Sequence, residues 1–172
     1  MKITIAFTLV CLCCLSSQAQ RNPIGQTHFS MEDDKVEHPA VIPLDAWSIL
    51  QSDLSNKPVL ESEGLTAEQL PRSWFQASTI HLDGLAENDL LVVGKGKLLG
   101  ANVTTFWVFQ KTPNGMRLVL TAPAHDLILQ KSRSHHRRNV ELIKMTGTRI
   151  ISTKFRFDGI RYREAGSSDQ PI

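Results

Sequence analysis

From about residue 75 onward, apolar and polar positions alternate with a period of two, the spacing that predicts strands with one face buried. Runs of this kind fall at 75–82, 89–94, 104–111, 116–121, 127–131, 140–145, 149–157 and 160–163. Turn chemistry separates several of them. Pro113-Asn114-Gly115, Thr146-Gly147 and Asp158-Gly159 each place a glycine where a hairpin needs positive φ. In the run after Val103, Thr105, Trp107 and Phe109 share one face while Phe106 and Val108 share the other, so that strand is expected to be central. In 149–157, Ile151, Thr153, Phe155 and Phe157 alternate with Ser152, Lys154 and Arg156, which predicts one wet face.

Upstream the period changes. Leu44, Trp47, Ile49, Leu50 and Leu54 approximate helical spacing, and the helix is expected to end at Ser55-Asn56-Lys57-Pro58. A second short helix is expected at Thr66 to Leu70, opened by Thr66 and stopped by Pro71. Trp74 and Phe75 are the residues expected to dock these helices on the sheet. The fold class predicted is α+β, with short N-terminal helices packed on a mostly antiparallel β-meander sheet of about six to eight strands. A polar lead at 20–40 and a tail at 166–172 are expected to be flexible, which leaves a single β-rich domain at 41–165.

The first nineteen residues set the expected compartment. Lys2 precedes an apolar run from Ile3 to Leu15, and Ser17-Gln18-Ala19 supplies small residues for a peptidase. The run is shorter than the roughly 20 apolar residues a membrane span needs, so 1–19 reads as a secretory signal. Cleavage after Ala19 leaves 153 of the 172 residues, a length suited to one domain. All three cysteines lie in the leader at Cys11, Cys13 and Cys14. A mature chain without disulfides suits a bacterial periplasmic or extracellular protein better than a small disulfide-dependent secreted domain. The leader also takes one of the 19 basic residues, so 18 basic face 17 acidic side chains. That balance gives no reason to expect nucleic-acid binding, and no stable membrane insertion is expected after cleavage.

The segment His81-Leu-Asp83-Gly-Leu-Ala-Glu-Asn-Asp89-Leu follows the frame of the calcium loop of FG-GAP-like repeats, whose first, third, fifth and ninth positions supply oxygen ligands. With Phe106-Trp107-Val108-Phe109 and the ending Phe155-Arg156-Phe157-Asp158-Gly159-Ile160-Arg161-Tyr162, the chain resembles small exported bacterial proteins carrying one degenerate FG-GAP/VCBS-like segment and a β-meander. The resemblance spans residues 65 to 163 and implies a fold more than an activity. In ligand terms it points to His81, Asp83 and Asp89. Leu85 stands at the fifth position and only two carboxylates remain, against the six to eight oxygens calcium takes, so no cofactor is expected.

The densest basic stretch holds Lys131, Arg133, His135, His136, Arg137 and Arg138. It lies between two predicted strands, so it reads as a loop or hairpin tip able to hold an anionic ligand or an acidic surface. Catalytic signatures do not appear. No Gly-x-Ser-x-Gly elbow or His-Glu-x-x-His exists, and Gly94-Lys95-Gly96-Lys97 lacks phosphate-loop spacing. His125 and Asp126 are sequence neighbours, which on a strand would face opposite ways. The function expected is an exported non-catalytic binding module, with an envelope or secreted protein or an anionic ligand as partner. The alternative is an inhibitor or immunity-like protein against a secreted or cell-envelope hydrolase.

Overall fold

A computed structural model describes residues 25–83 and 88–172. The expected signal at 1–19 and the loop residues 84–87 lie outside the described residues. Among those described, nine strands form two antiparallel sheets. They are β1 (His28–Ser30), β2 (Phe75–Ile80), β3 (Asp89–Gly94), β4 (Thr104–Thr112), β5 (Gly115–Ala124), β6 (Asp126–Ser134), β7 (Arg137–Met145), β8 (Arg149–Phe157) and β9 (Tyr162–Pro171). One sheet has the order β2-β3-β4-β5, the other β1-β6-β7-β8-β9. The antiparallel, β-rich character matches the sequence pattern; the single sheet does not. β5 and β6 are separated by His125 alone, so residues 115–134 make one extended run that turns a corner and joins both sheets.

The reason for two sheets lies in β3 and β4. Every residue of β3 is buried, and β4 is buried from Phe106 through Gln110. A strand apolar on both faces must be covered on both. Leu91, Val93, Phe106 and Val108 face the second sheet and meet Leu127, Leu129, Val140 and Leu142. Leu90, Val92, Trp107 and Phe109 face the helices and meet Ala46, Trp47, Leu50 and Leu60. The molecule is therefore three layers: helices, four-stranded sheet, five-stranded sheet.

The helical layer begins with α1 (Leu44–Ser52), whose Ala46, Trp47 and Leu50 are buried while Leu44 stays exposed. Lys57-Pro58 does not end the helical region. A 3-10 turn (Leu54–Asn56) leads into α2 (Lys57–Glu63), with Pro58 in its first turn. Proline is tolerated there because the first N–H groups of a helix lack internal partners anyway. The expected second helix is a single 3-10 turn (Ala67–Gln69), with Gln69 Oε1 accepting the Thr66 N–H at 2.9 Å. Phe75 bridges the layers, its ring 5.5 Å from both Trp47 and Trp107. Asp45 in α1 accepts the Met116 N–H at 2.6 Å, and a side chain on Gly115 would put its Cβ 2.4 Å from that carboxylate. Gly115 is needed twice over, since its φ is +109°.

Both ends depart from the expected flexible segments. Part of the 20–40 lead forms β1 against β6, with Phe29 1 % exposed and Val36 buried in the inter-sheet core. Residues 166–171 of the expected tail pair with β8 as the outer part of β9. Neither segment shows the strand pattern strongly, because β1 is three residues long and β9 is an exposed polar edge. Of the three predicted turn glycines, Gly115 and Gly159 have left-handed φ and Gly147 does not.

Candidate functional site

Among the described residues, the ends of β2 and β3 and the β4–β5, β6–β7 and β8–β9 hairpins meet at one end of the layers. The β6–β7 hairpin carries the basic cluster. Ser134 pairs with Arg137, so its turn is the two residues His135-His136, both in the left-handed region with φ of 46° and 64°. Two-residue hairpins favour this backbone because it matches strand twist, although glycine or asparagine usually supplies it. His135 Nδ1 donates to the Phe157 carbonyl at 3.1 Å, which ties this tip to the end of β8.

The structure divides the predicted cluster. Lys131, Arg133, His135 and His136 are exposed, whereas Arg137 is half-buried and Arg138 is buried. Only the two histidines form the tip; the other four residues belong to β6 and β7. Across from them β6 carries an irregularity: Gln130, Lys131 and Ser132 together oppose Asn139. Such bulges bend a strand and re-aim its side chains.

Arg137 is the centre of an ion network. Its Nη1 lies 2.8 Å from Asp83 Oδ2 and 3.7 Å from Asp89 Oδ2. Asp89 also accepts the Leu82 N–H at 3.0 Å and the Lys111 N–H at 2.9 Å, so one carboxylate ties three segments together. Burial pushes its pKa up to about 6 despite those donors and the Arg137 charge. Arg133 donates to the Asp83 carbonyl, and the Arg138 N–H donates to the Leu82 carbonyl at 2.6 Å. Tyr162 closes the network from β9, its hydroxyl donating to the Arg138 carbonyl at 2.7 Å.

Of the three residues assigned to a degenerate calcium-type loop, Asp83 and Asp89 thus converge, but on a guanidinium. A cation between them would meet Arg137. His81 is half-buried just beyond β2. Among the described residues no group of three or more His, Cys, Asp or Glu side chains is placed to hold a metal ion.

The sequence reading missed a second polar cluster at the other end of β6. His125 Nδ1 lies 2.9 Å from Asp126 Oδ1, although neighbours on a strand would point apart. His125 sits at the corner between β5 and β6, so strict alternation does not apply there. Its Nε2 is 3.5 Å from Glu32 Oε1, and His28 Nε2 is 3.6 Å from Asp126 Oδ2. Both outer partners come from the N-terminal segment, and the cluster fastens it to the corner. No local sequence signal marks this pairing, because β1 and the corner are almost a hundred residues apart.

In comparisons with known proteins, the chain matches no family model, no curated protein and no solved structure.

Proposed function

We propose that this protein is an exported, non-catalytic binding module that holds an anionic partner with the β6–β7 hairpin. The observation that carries this reading is the way the hairpin is anchored. The Arg137 side chain turns inward onto Asp83 and Asp89 and the Arg138 backbone N–H bonds the Leu82 carbonyl, while Lys131, Arg133, His135 and His136 remain exposed. A tip held in place by its own base loses less entropy on binding than a floppy loop. Export rests on the leader pattern at 1–19. The same stiff, two-residue tip also favours the inhibitor reading, since a hydrolase cleft accepts a projecting hairpin held in one conformation.

The test is binding of the full mature chain to immobilised polyglutamate and to inorganic polyphosphate at physiological salt, with Lys131→Glu/Arg133→Glu as the variant. We expect saturable binding to at least one polymer and at least tenfold weaker binding by the variant, with its unfolding still cooperative. Wild-type chain that binds neither polymer, or a variant that binds as well as wild type, would remove this reading. Loss of activity of a secreted hydrolase in a stoichiometric complex would select the inhibitor alternative.

A further inference from the structure

We propose that the cleft between β5 and the β8–β9 hairpin is a binding site for a medium-chain aliphatic monocarboxylate. β5 is the outer strand of one sheet and β9 the outer strand of the other, so the two layers are open along this side. Both strands carry an irregularity, that of β5 within the cleft wall and that of β9 just beyond it. Val119 is an extra residue in β5 between the pairs Val108–Leu120 and Phe109–Leu118. Ala165 is an extra residue in β9 between the pairs Lys154–Gly166 and Phe155–Glu164. Bulges of this kind bend strands and are enriched beside functional sites.

The opening between them has a volume of about 380 Å³, within the roughly 300–1,000 Å³ typical of small-molecule sites. Its walls include Leu118, Leu120, Phe155 and the ring of Tyr162, and its charged lining residues are Arg161 and Arg163. No aspartate or glutamate lines it. Tyr162 spends its hydroxyl on the Arg138 carbonyl and contributes only its ring. Asp158 fixes Arg163 through Nε at 2.9 Å, and Arg161 has no ion pair among the described residues. An apolar wall beside an unpaired guanidinium complements an apolar chain ending in a carboxylate, which arginine can take in bidentate fashion. Decanoate, an aliphatic chain ending in a carboxylate, has this chemistry and serves as the probe.

This site uses none of the exposed side chains of the β6–β7 tip, so the two readings stand or fall separately. The experiment is calorimetric titration of the full mature chain with sodium decanoate, followed by amide NMR. Acetate and decyltrimethylammonium are the comparison ligands. We expect one saturable site of ~10–100 μM, the range a small ligand reaches when only part of its surface is buried. Shifts should be confined to 118–121, 155 and 161–163. Acetate and the cationic amphiphile should bind at least tenfold more weakly. Arg161→Glu/Arg163→Glu should weaken decanoate at least tenfold, while Lys131→Glu/Arg133→Glu should leave it unchanged. Equal binding of the cationic amphiphile would reduce the site to an apolar patch and overturn the proposal. So would the absence of saturable heat, or an Arg161→Glu/Arg163→Glu variant with unaltered affinity. Both arginines are exposed, so the variant is expected to fold.

Discussion

Asp89 places a carboxylate at 1 % exposure where β3 begins. Two backbone donors and the Arg137 charge favour the charged form, but burial outweighs them and holds the folded-state pKa near 6. An unfolded aspartate titrates near 4. Between about pH 4 and pH 6 the native chain therefore keeps a proton that the unfolded chain has lost. The stability from that proton is complete below pH 4 and disappears as pH rises through 6. Two pKa units correspond to about 3 kcal/mol. In urea titrations between pH 4 and 7, the wild-type chain should lose stability with rising pH, by up to that amount, relative to Asp89→Asn. Parallel pH profiles for the two proteins would show that Asp89 is solvated enough to titrate like a surface carboxylate. Asp89 was visible in the sequence as an acidic loop residue, but its partner was not. Arg137 lies 48 residues away, and only the pairing of two hairpin ends brings it within reach.

At the level of single elements, one lysine ties residues 31–33 of the N-terminal segment to the end of β3. Lys95 Nζ donates to the Met31 carbonyl at 2.9 Å and to the Asp33 carbonyl at 2.5 Å. Burial lowers its pKa, although Asp33 and Asp34 oppose that effect. Lys95→Met keeps the aliphatic stem and removes both hydrogen bonds. Residues 31–36 should then show at least tenfold faster amide exchange, with little change in β3 and β4. Unchanged protection at 31–36 would mean that the β1–β6 pairing, the His125 cluster and the buried Phe29 and Val36 secure the segment without Lys95. This contact also explains an asymmetry in what the sequence disclosed. β3 and β8 match their predicted bounds at 89–94 and 149–157, because aliphatic density or strict alternation marks each one locally. β1 is three residues in a polar stretch, and it is ordered by pairing with β6 and by tertiary hydrogen bonds that no local window contains. α2 was hidden differently. Pro58 reads as a stop in the sequence, yet it occupies the first turn, where its missing N–H costs nothing.

For the molecule as a whole, β3 and β4 decide whether the three layers behave as one body. Alternate residues of each strand belong to different cores: Leu91 and Val93 to the inter-sheet core, Leu90 and Val92 to the helix side. The helices cannot be shed without exposing Trp107 and Phe109, nor the second sheet without exposing Phe106 and Val108. The chain also provides an optical probe for each core. All three tryptophans, Trp47, Trp74 and Trp107, belong to the helix-side cluster or pack against it, and the single tyrosine, Tyr162, lies in the inter-sheet core. Tryptophan fluorescence and the ring signals of Tyr162 should therefore give coincident urea transitions with the same midpoint and slope. Separated midpoints would mean that the two cores melt independently and that the bent β5–β6 run is a hinge. In that case the five-stranded sheet, which carries both the basic hairpin and one wall of the cleft, could reorganise without the helices, and binding at the basic hairpin would shift only the Tyr162 transition.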